Sequence, residues 1–454
     1  MKKKKNLCGQ SFLSISKLAF NKVPDKRLKP PITLSDALMS ALAVFKLKMP
    51  SLLKFEEFKA DKNQLQNIRN IFHAKNIPSD TQLREILDPV PYHELFRPFK
   101  SIFRVLQSEK ALKQFKYKIP DSRDVYLTPA DGTGFFSSTK IKCEHCLVKK
   151  QKNKDEEDEL MFHHQMLGCA IVHPNKKTVL PFAPEPIMSQ DGQAKNDCER
   201  VAAKRLFYRL KDEHPGLPFC ILGDSLFATV PNFQLIRSHR WEGILGVKPG
   251  SHKTLFQQAI DPSNQLKKKI IIDEIGDKVK KKRTRIYQYR NGLFLTLGSD
   301  IEVNFLDFEE IIEWDGKRGP EKKKVHFTWA STIEITDNNI YELMKAGRSR
   351  WKCENEVFNT LKNQGYYLEH NYGHGNKNLS ANFAILMFLA FMIDQLEESF
   401  CDLFKAARKK ERTKYSLWEQ LRSLFKMFVI ENWTDLIKGI QIKNLGNLSA
   451  VNTC

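Results

Sequence analysis

Three acidic residues of this sequence have the types and positions needed for metal-ion chemistry. Asp131 ends the strand-like run VYLTPAD, and Asp224 ends the apolar run PFCILGD just before a polar turn. Acidic side chains at strand ends of an α/β sheet emerge at the edge of the core, where ligands bind. Either aspartate alone is more typical of a turn or a cap. The prediction of a site therefore also depends on a third residue, Glu354.

Glu354 belongs to a segment with helical periodicity, RSRWKCENEVFNTLK, at residues 348–362. At about 100° per residue, Glu354 falls on the same face as Val357, whereas Glu356 falls on the opposite side. We therefore expect Glu354 to lie on a packed face, where a carboxylate needs a positive partner. A structural ion pair with Arg350 would meet that need, and so would a metal ion.

A set of three carboxylates is typical of a site for Mg²⁺, with Mn²⁺ as its substitute, because both cations prefer oxygen ligands. In two-metal phosphoryl transfer, one ion activates water or a 3′-hydroxyl and the other stabilises the leaving oxygen. Arg350 and Lys362 flank the Glu354 face. Their guanidinium and ammonium groups would hold a neighbouring phosphate.

The net charge of the chain indicates what kind of phosphate-containing molecule the protein would bind. The 454 residues include 74 Lys+Arg and 53 Asp+Glu, which gives a formal charge of +21. A surface this basic attracts a polyanion such as nucleic acid. Nine cysteines without a repeating spacing are typical of reduced cytoplasmic thiols. The longest apolar run, at residues 383–393, is too short to cross a bilayer and predicts a buried helix, so we expect a cytoplasmic protein without a membrane segment.

The helices and strands that must position these residues predict a mixed α/β fold. Helical periodicity in the first part gives way to short strands broken by Gly and Pro, and then to alternating helices and strands. Asn291-Gly292 predicts a hairpin turn in a lysine-rich, β-rich segment. We predict a helical domain at 1–115, an α/β core at 116–400 with a β-rich insertion at about 250–335, and a helical segment at 401–454.

In the N-terminal part, Ser79 and Gln82 predict a capping box at the start of a helix. The two helices around it would form either a DNA-binding helix-turn-helix or an ordinary helical hairpin.

The segments DGTGFF, CILGDSLF and RSRWKCENEVFNTLK resemble the motifs of DDE transposases from bacterial insertion sequences, and most of all the insertion-sequence-four-like group. The resemblance covers roughly residues 120–400. It implies a ribonuclease-H-like mixed sheet flanked by helices, with a β-rich insertion before the glutamate helix and an N-terminal helical domain that binds DNA. It also implies that Asp131, Asp224 and Glu354 bind Mg²⁺.

The function implied by this resemblance is cut-and-paste transposition. The enzyme would cleave at the terminal inverted repeats with water and then use the freed 3′-hydroxyl for strand transfer into target DNA. A homodimer would hold the paired ends, and the protein would be cytoplasmic and nucleoid-associated. Two other functions stay open: a metal-dependent nuclease without strand transfer, and a catalytically silent DNA-binding descendant in which the carboxylates are structural.

The resemblance also assigns DNA contacts. The group's signature of Tyr, Arg, Glu and Lys corresponds here to Arg350, Glu354 and Lys362, but Gly347 stands at the tyrosine position and Lys362 lies one residue further from the glutamate than usual. An aromatic residue of the insertion holds a flipped base in this group, and Trp329 or Trp314 would do so here if it is not part of the core. His370 follows the glutamate helix in a glycine-rich loop and would contact DNA.

Two further groups of residues have an ordinary and a functional interpretation. Cys143-x-x-Cys146, followed by His163 and His164, offers zinc ligands, but the spacing is irregular for a zinc finger, so structural thiols are the preferred interpretation. Glu185 and the segment DCER at 197–200 would support the metal site only indirectly, and capping or salt bridging explains them equally well.

Overall fold

The computed structural model describes residues 7–151, 159–191, 195–261, 266–276, 280–316 and 319–441. Its first part is helical. The helices are α1 (Gly9–Phe20), α2 (Leu34–Lys46), α3 (Leu52–Lys59), α4 (Lys62–Phe72), α5 (Asp80–Leu87) and α6 (Arg97–Ser108), with 3-10 turns at Tyr92–Phe96 and Ala111–Phe115.

The predicted capping box at the start of α5 is confirmed. Ser79 accepts a hydrogen bond from the backbone N–H of Gln82, and the Gln82 side chain accepts one from the backbone N–H of Ser79. Arg84, further along α5, donates to the backbone oxygen of Tyr372. Gln82 and Arg84, the two residues of this helix that could read a DNA groove, are therefore engaged within the chain.

The strands form one mixed sheet. They are β1 (Tyr126–Ser138), β2 (Leu147–Gln151), β3 (Glu159–Ile171), β4 (Leu180–Pro181), β5 (Glu185–Ile187), β6 (Phe219–Gly223), β7 (Glu242–Gly246), β8 (Lys267–Ile275), β9 (Lys281–Phe294), β10 (Glu302–Gly316) and β11 (Gly319–Ser331). Their order is β2-β3-β1-β6-β7-β11-β10-β9-β8, with β4 and β5 also paired to β3. β1, β6 and β7 are parallel, whereas β3 and the β-rich segment β8–β11 pair antiparallel. The predicted mixed α/β fold is confirmed.

In the described part of the chain, three helices lie between strands of the sheet, and six more come after its last strand. They are α7 (Lys195–Glu213), α8 (Val230–Ser238), α9 (Lys253–Ala259), α10 (Ile340–Arg348), α11 (Asn359–Asn363), α12 (Leu379–Phe400), α13 (Asp402–Lys410), α14 (Lys414–Met427) and α15 (Trp433–Gln441). A π-helical turn at Cys353–Phe358, called the π turn below, directly precedes α11.

The predicted hairpin turn at Asn291-Gly292 is wrong. β9 continues to Phe294, and these two residues face the single residue Asn304 of β10, where the register shifts. Gly292 has a φ of +69°. The pair therefore forms a β-bulge, a feature that needs the same positive φ as a hairpin turn.

The apolar run at 383–393 forms part of α12, as predicted. Among the described residues, α12 is the one helix long and apolar enough to span a membrane, but 89% of that apolar window is buried inside the protein. Its buried carboxylates meet two lysines of the N-terminal part: Lys46 lies 2.5 Å from Glu397 and Lys48 lies 2.6 Å from Asp394. α12 is thus the central core helix, and the N-terminal helices pack on it.

Candidate active site

Asp131 and Asp224 lie side by side at one end of the sheet. The parallel strands β1 and β6 pair residue by residue from Tyr126 with Phe219 onwards. The same register, continued past the end of β6, sets Asp131 opposite Asp224. Neighbouring strands are about 4.8 Å apart, and paired residues of parallel strands point to the same face. The prediction that Asp131 ends its strand is wrong, because β1 continues to Ser138 and stays paired with β3. Asp224 does follow the end of β6, and the parallel register of β1 with β6 brings the two aspartates together.

Both aspartates line a cavity of about 830 Å³. Burial raises the pKa of Asp131, the charge of Asp224 acts in the same direction, and Arg350 opposes both. The Arg350 guanidinium forms an ion pair with Asp131. Two adjacent carboxylates in a partly buried cavity repel each other, and a cation relieves that repulsion. Their oxygen atoms are the ligands that Mg²⁺ and Mn²⁺ prefer.

Glu199 adds a third carboxylate to the lining of this cavity. It lies on α7, is 8% exposed, and packs over Gly132, where an added Cβ would lie 3.0 Å from its Oε1. The sequence indicated only indirect support from this segment, because helical periodicity does not show which strand a helix covers. Glu185, in contrast, pairs with Arg205 at 2.9 Å, as the salt-bridge interpretation predicts.

The π turn lies on the sheet beside Asp131. On the other side of β1, Asp131 pairs with Gly168 of β3. An added Cβ at Gly168 would lie 2.4 Å from Cε1 of Phe358. The Cys353 thiol approaches the backbone oxygen of Gly168 at 3.7 Å. The absence of a side chain at residue 168 therefore lets the π turn reach the strand at the level of Asp131.

The prediction that Glu354 lies on the packed face is wrong. Glu354 is exposed and Glu356 is half-buried, while Cys353, Val357 and Phe358 are the buried residues of the π turn. The prediction assumed α-helical geometry, but π-helical hydrogen bonds span five residues, so each turn holds one more residue and the directions of the side chains change.

Glu354 therefore stands apart from the two aspartates in this structure. It is outside the lining of their cavity, although the turn that carries it packs against β1 and β3. Arg350, which could have paired with Glu354, pairs with Asp131 instead. The three predicted ligands thus share one end of the sheet, but the structure brings together only Asp131 and Asp224.

The other predicted phosphate contact, Lys362, points to a different cavity. Its ammonium group lies 2.8 Å from Glu369. It lines a cavity of about 800 Å³ beside the far end of β1. His370 is exposed in the loop after α11, as predicted, with its ring against Tyr372 at 4.8 Å.

Trp329 has the packing of a core residue. It is 5% exposed and stacks on Phe327 with ring centroids 5.5 Å apart. An added Cβ at Gly347 would lie 2.6 Å from Cε2 of Trp329. The indole therefore fills the space of a side chain at residue 347, which explains why a glycine stands there.

An exposed tryptophan that the sequence argument did not select lies next to Arg350. Trp351 is 52% exposed and lines a cavity of about 400 Å³. The same cavity is lined by two acidic residues, Glu310 and Glu356, and by five cationic residues: Arg283, Arg285, Lys345, Arg348 and Lys352. Of these cations, Arg348 pairs with Glu310. No local sequence pattern marked Trp351 as exposed.

Comparison with known proteins gives no relative from which a function could be transferred: no family model matches this chain, and no curated protein is significantly similar to it.

Proposed function

We propose that this chain is a DNA transposase that cleaves at the ends of a mobile element and joins those ends to target DNA. The observation that carries the proposal is that Asp131 lies beside Asp224 and that the π turn packs on β1 and β3, the strand pair that contains Asp131. The motifs around the same three residues are the ones that resemble DDE transposases.

The strand arrangement supports a ribonuclease-H-like core. The central strand β1 has antiparallel β3 on one side and parallel β6 on the other, and β7 continues the parallel part. Antiparallel strands β8 to β11 lie between β7 and the π turn along the chain, in the place where the resemblance implies a β-rich insertion.

The carboxylates would bind Mg²⁺, or Mn²⁺ in its place. When bound, the metal supplies activation of the attacking water or 3′-hydroxyl and stabilisation of the leaving oxygen. Asp131 and Asp224 would hold it, with Glu354 as the third ligand that the resemblance implies. Arg350 holds Asp131 before the substrate arrives, and its guanidinium would then bind a DNA phosphate.

The surface next to Arg350 suits a DNA strand. Cationic residues around Trp351 would neutralise phosphates, and the exposed indole offers a surface on which a base can stack. Lys322, Lys323 and Lys324 are exposed on β11, where Lys322 and Lys324 also pair with glutamates of β10. The partners would be the terminal inverted repeats and target DNA, bound by a homodimer that holds both ends at the nucleoid.

The exposure of Glu354 favours one alternative, a DNA-binding descendant without catalysis, because the third ligand is not turned towards the aspartates. A nuclease without strand transfer would use the same carboxylates and differ only in the fate of the 3′-hydroxyl.

One experiment separates these functions. Labelled duplexes that carry the sequences flanking the coding region are incubated with Mg²⁺ and the native chain, Glu354→Gln or Glu356→Gln. Glu356 is the matched control because it lies in the same turn and is half-buried. We expect cleaved and joined products from the native chain and Glu356→Gln, and none from Glu354→Gln. Cleavage without joining would identify a nuclease, and binding without cleavage by all three proteins would identify the silent descendant.

A further inference from the structure

Four potential metal ligands from three distant segments meet at the β2 side of the sheet. Cys143 and Cys146 lie in the connection between β1 and β2, His164 lies in β3, and His374 lies in the loop between α11 and α12. One ligand atom of each residue lies within 4.8 Å of all the others. The sequence pointed to the two cysteines, but Cys146 and His374 are 228 residues apart.

Four of the six distances between these atoms match a tetrahedral zinc site, and the other two are within 4.8 Å. Bonds of about 2.3 Å to sulfur and 2.0–2.1 Å to nitrogen, at tetrahedral angles, require about 3.8 Å between two sulfurs and about 3.6 Å between sulfur and nitrogen. The two Sγ atoms are 3.8 Å apart. Nε2 of His164 lies 3.4 Å from Cys143 Sγ and 3.5 Å from Cys146 Sγ, and Nε2 of His374 lies 3.7 Å from Cys146 Sγ.

A disulfide does not explain this cluster. The S–S bond of a disulfide is about 2.05 Å long, and a distance of 3.8 Å leaves both thiols reduced. Thiol–imidazole hydrogen bonds account for single contacts within the cluster. The feature that favours an ion is that all four ligand atoms lie within 4.8 Å of one another, as the ligands of one tetrahedral zinc do.

The surroundings are those of a closed structural site. Cys146 is 3% exposed, and His164 and His374 are each 7% exposed. Phe136 packs on the His374 ring with centroids 4.5 Å apart, and Phe135 stacks on His164 at 5.8 Å. All four positions of a tetrahedron are filled by protein atoms, which distinguishes structural zinc from catalytic zinc.

We propose that Cys143, Cys146, His164 and His374 bind one structural Zn²⁺. The ligand types separate this site from the carboxylates of the candidate active site, because thiolate and imidazole favour zinc whereas carboxylates favour Mg²⁺. The ion fastens the loop after α11 to β3 and to the end of β1. It thereby holds the segment that follows the π turn against the sheet that carries Asp131. The site does not depend on the proposed transposase activity.

The alternation of β3 supplies a matched pair of variants. Successive residues of a strand point to opposite faces, so His163 and His164 differ in direction but not in chemistry or position along the chain. His164 faces the two thiols, while His163 lines the cavity that also contains Lys362. His164→Asn should abolish zinc binding, and His163→Asn should leave it unchanged.

The test is zinc content by mass spectrometry of the full chain, purified under reducing conditions without a histidine tag. We expect about one zinc per chain in the native protein and in His163→Asn, since one tetrahedral site binds one ion. We expect at least a tenfold loss in His164→Asn and in Cys146→Ser. Cobalt added to the metal-free native chain should give the visible absorption of a tetrahedral thiolate site.

A separate measurement covers variants that fail to fold. Removal of zinc from the native chain with a chelator should lower its Tm, and added zinc should restore it. Native protein without stoichiometric zinc, combined with no cobalt absorption and no change of Tm, would overturn the proposal. Equal zinc content in His163→Asn and His164→Asn would also overturn it, because the ion would then be bound elsewhere.

Discussion

Gly168→Ala should displace the π turn from the sheet and impair catalysis. The added Cβ would lie 2.4 Å from Cε1 and 2.8 Å from Cζ of Phe358. Two carbon atoms in contact prefer about 3.5–4.0 Å, so the ring and its turn must move by about 1 Å. The backbone at Gly168 is not in the left-handed region. The destabilising part of the effect therefore comes from the lost space, and the lower entropy of the unfolded chain offsets about 0.4–1 kcal/mol of it.

Two magnitudes follow from this displacement. Insertion of a methyl group into a packed contact typically lowers the free energy of unfolding by about 1–3 kcal/mol. A displacement of about 1 Å at a catalytic group lowers a rate by about 100-fold. Urea unfolding measures the first effect. Mg²⁺-dependent cleavage of end DNA, at a temperature where the variant stays folded, measures the second.

Gly134→Ala is the matched control. Gly134 lies on the paired strand β1, and the atom nearest to its added Cβ is the backbone oxygen of His164 at 3.9 Å. We expect its free energy of unfolding to change by less than about 0.5 kcal/mol. If Gly168→Ala loses stability but cleaves DNA at the native rate, the position of the π turn does not matter for catalysis. If Gly168→Ala keeps both its free energy of unfolding and its rate of DNA cleavage, the close contact with Phe358 is not a constraint on the fold.

Three other predictions concern charged residues. Mg²⁺ should raise the Tm of the native chain, and less so that of Asp131→Asn, because the cation relieves the repulsion between two adjacent carboxylates; thermal unfolding with and without Mg²⁺ measures this. Glu199→Gln should raise the Mg²⁺ concentration needed for half-maximal cleavage, since it removes one charge from the metal cavity, whereas an unchanged Mg²⁺ dependence would assign Glu199 to packing. Lys46→Met should lower the free energy of unfolding by about 3–5 kcal/mol in urea titrations, because it leaves Asp394 and Glu397 buried with less positive charge.

The parts of the site that the sequence could predict depend on local patterns. The apolar run that ends in Asp224 identified both β6 and its end, whereas the run before Asp131 identified β1 but not its end, because β1 continues to Ser138. Parallel pairing of the two strands brings Asp131 and Asp224 together. The capping box of Ser79 and Gln82 is equally local, because each partner binds the backbone of the other three residues away.

The sequence could not predict those parts of the structure where one local sequence pattern fits more than one geometry. Asn291-Gly292 fits a hairpin turn and a β-bulge equally well, and only the pairing of β9 with β10 decides between them. His374 completes the cysteine cluster from a loop far along the chain, so no local spacing marks it. Glu354 was assigned to the wrong face because the helical wheel assumes a constant turn.

The π turn also bears on the position of Lys362, which the resemblance to DDE transposases would place one residue closer to the glutamate. A π turn holds one residue more than an α-helical turn, so it accommodates one additional residue between Glu354 and Lys362. Deletion of Asn355, which is exposed in this turn, should restore a continuous α-helix. We expect the free energy of unfolding to fall by about 1–3 kcal/mol, since the deletion rotates the buried Cys353 relative to Val357 and Phe358. DNA cleavage should be lost, because Glu354 then changes its direction relative to Asp131.

Asn355→Ala is the control for this deletion, because it removes the side chain and keeps the length of the turn. It should cleave DNA at close to the native rate. A deletion variant that unfolds at much lower urea concentration would show that the additional residue is required by the packing of the turn and not by the site. A stable deletion variant with full activity would show that Glu354 does not need the π geometry, and the search for the third ligand would then turn to Glu199, which already lines the cavity with both aspartates.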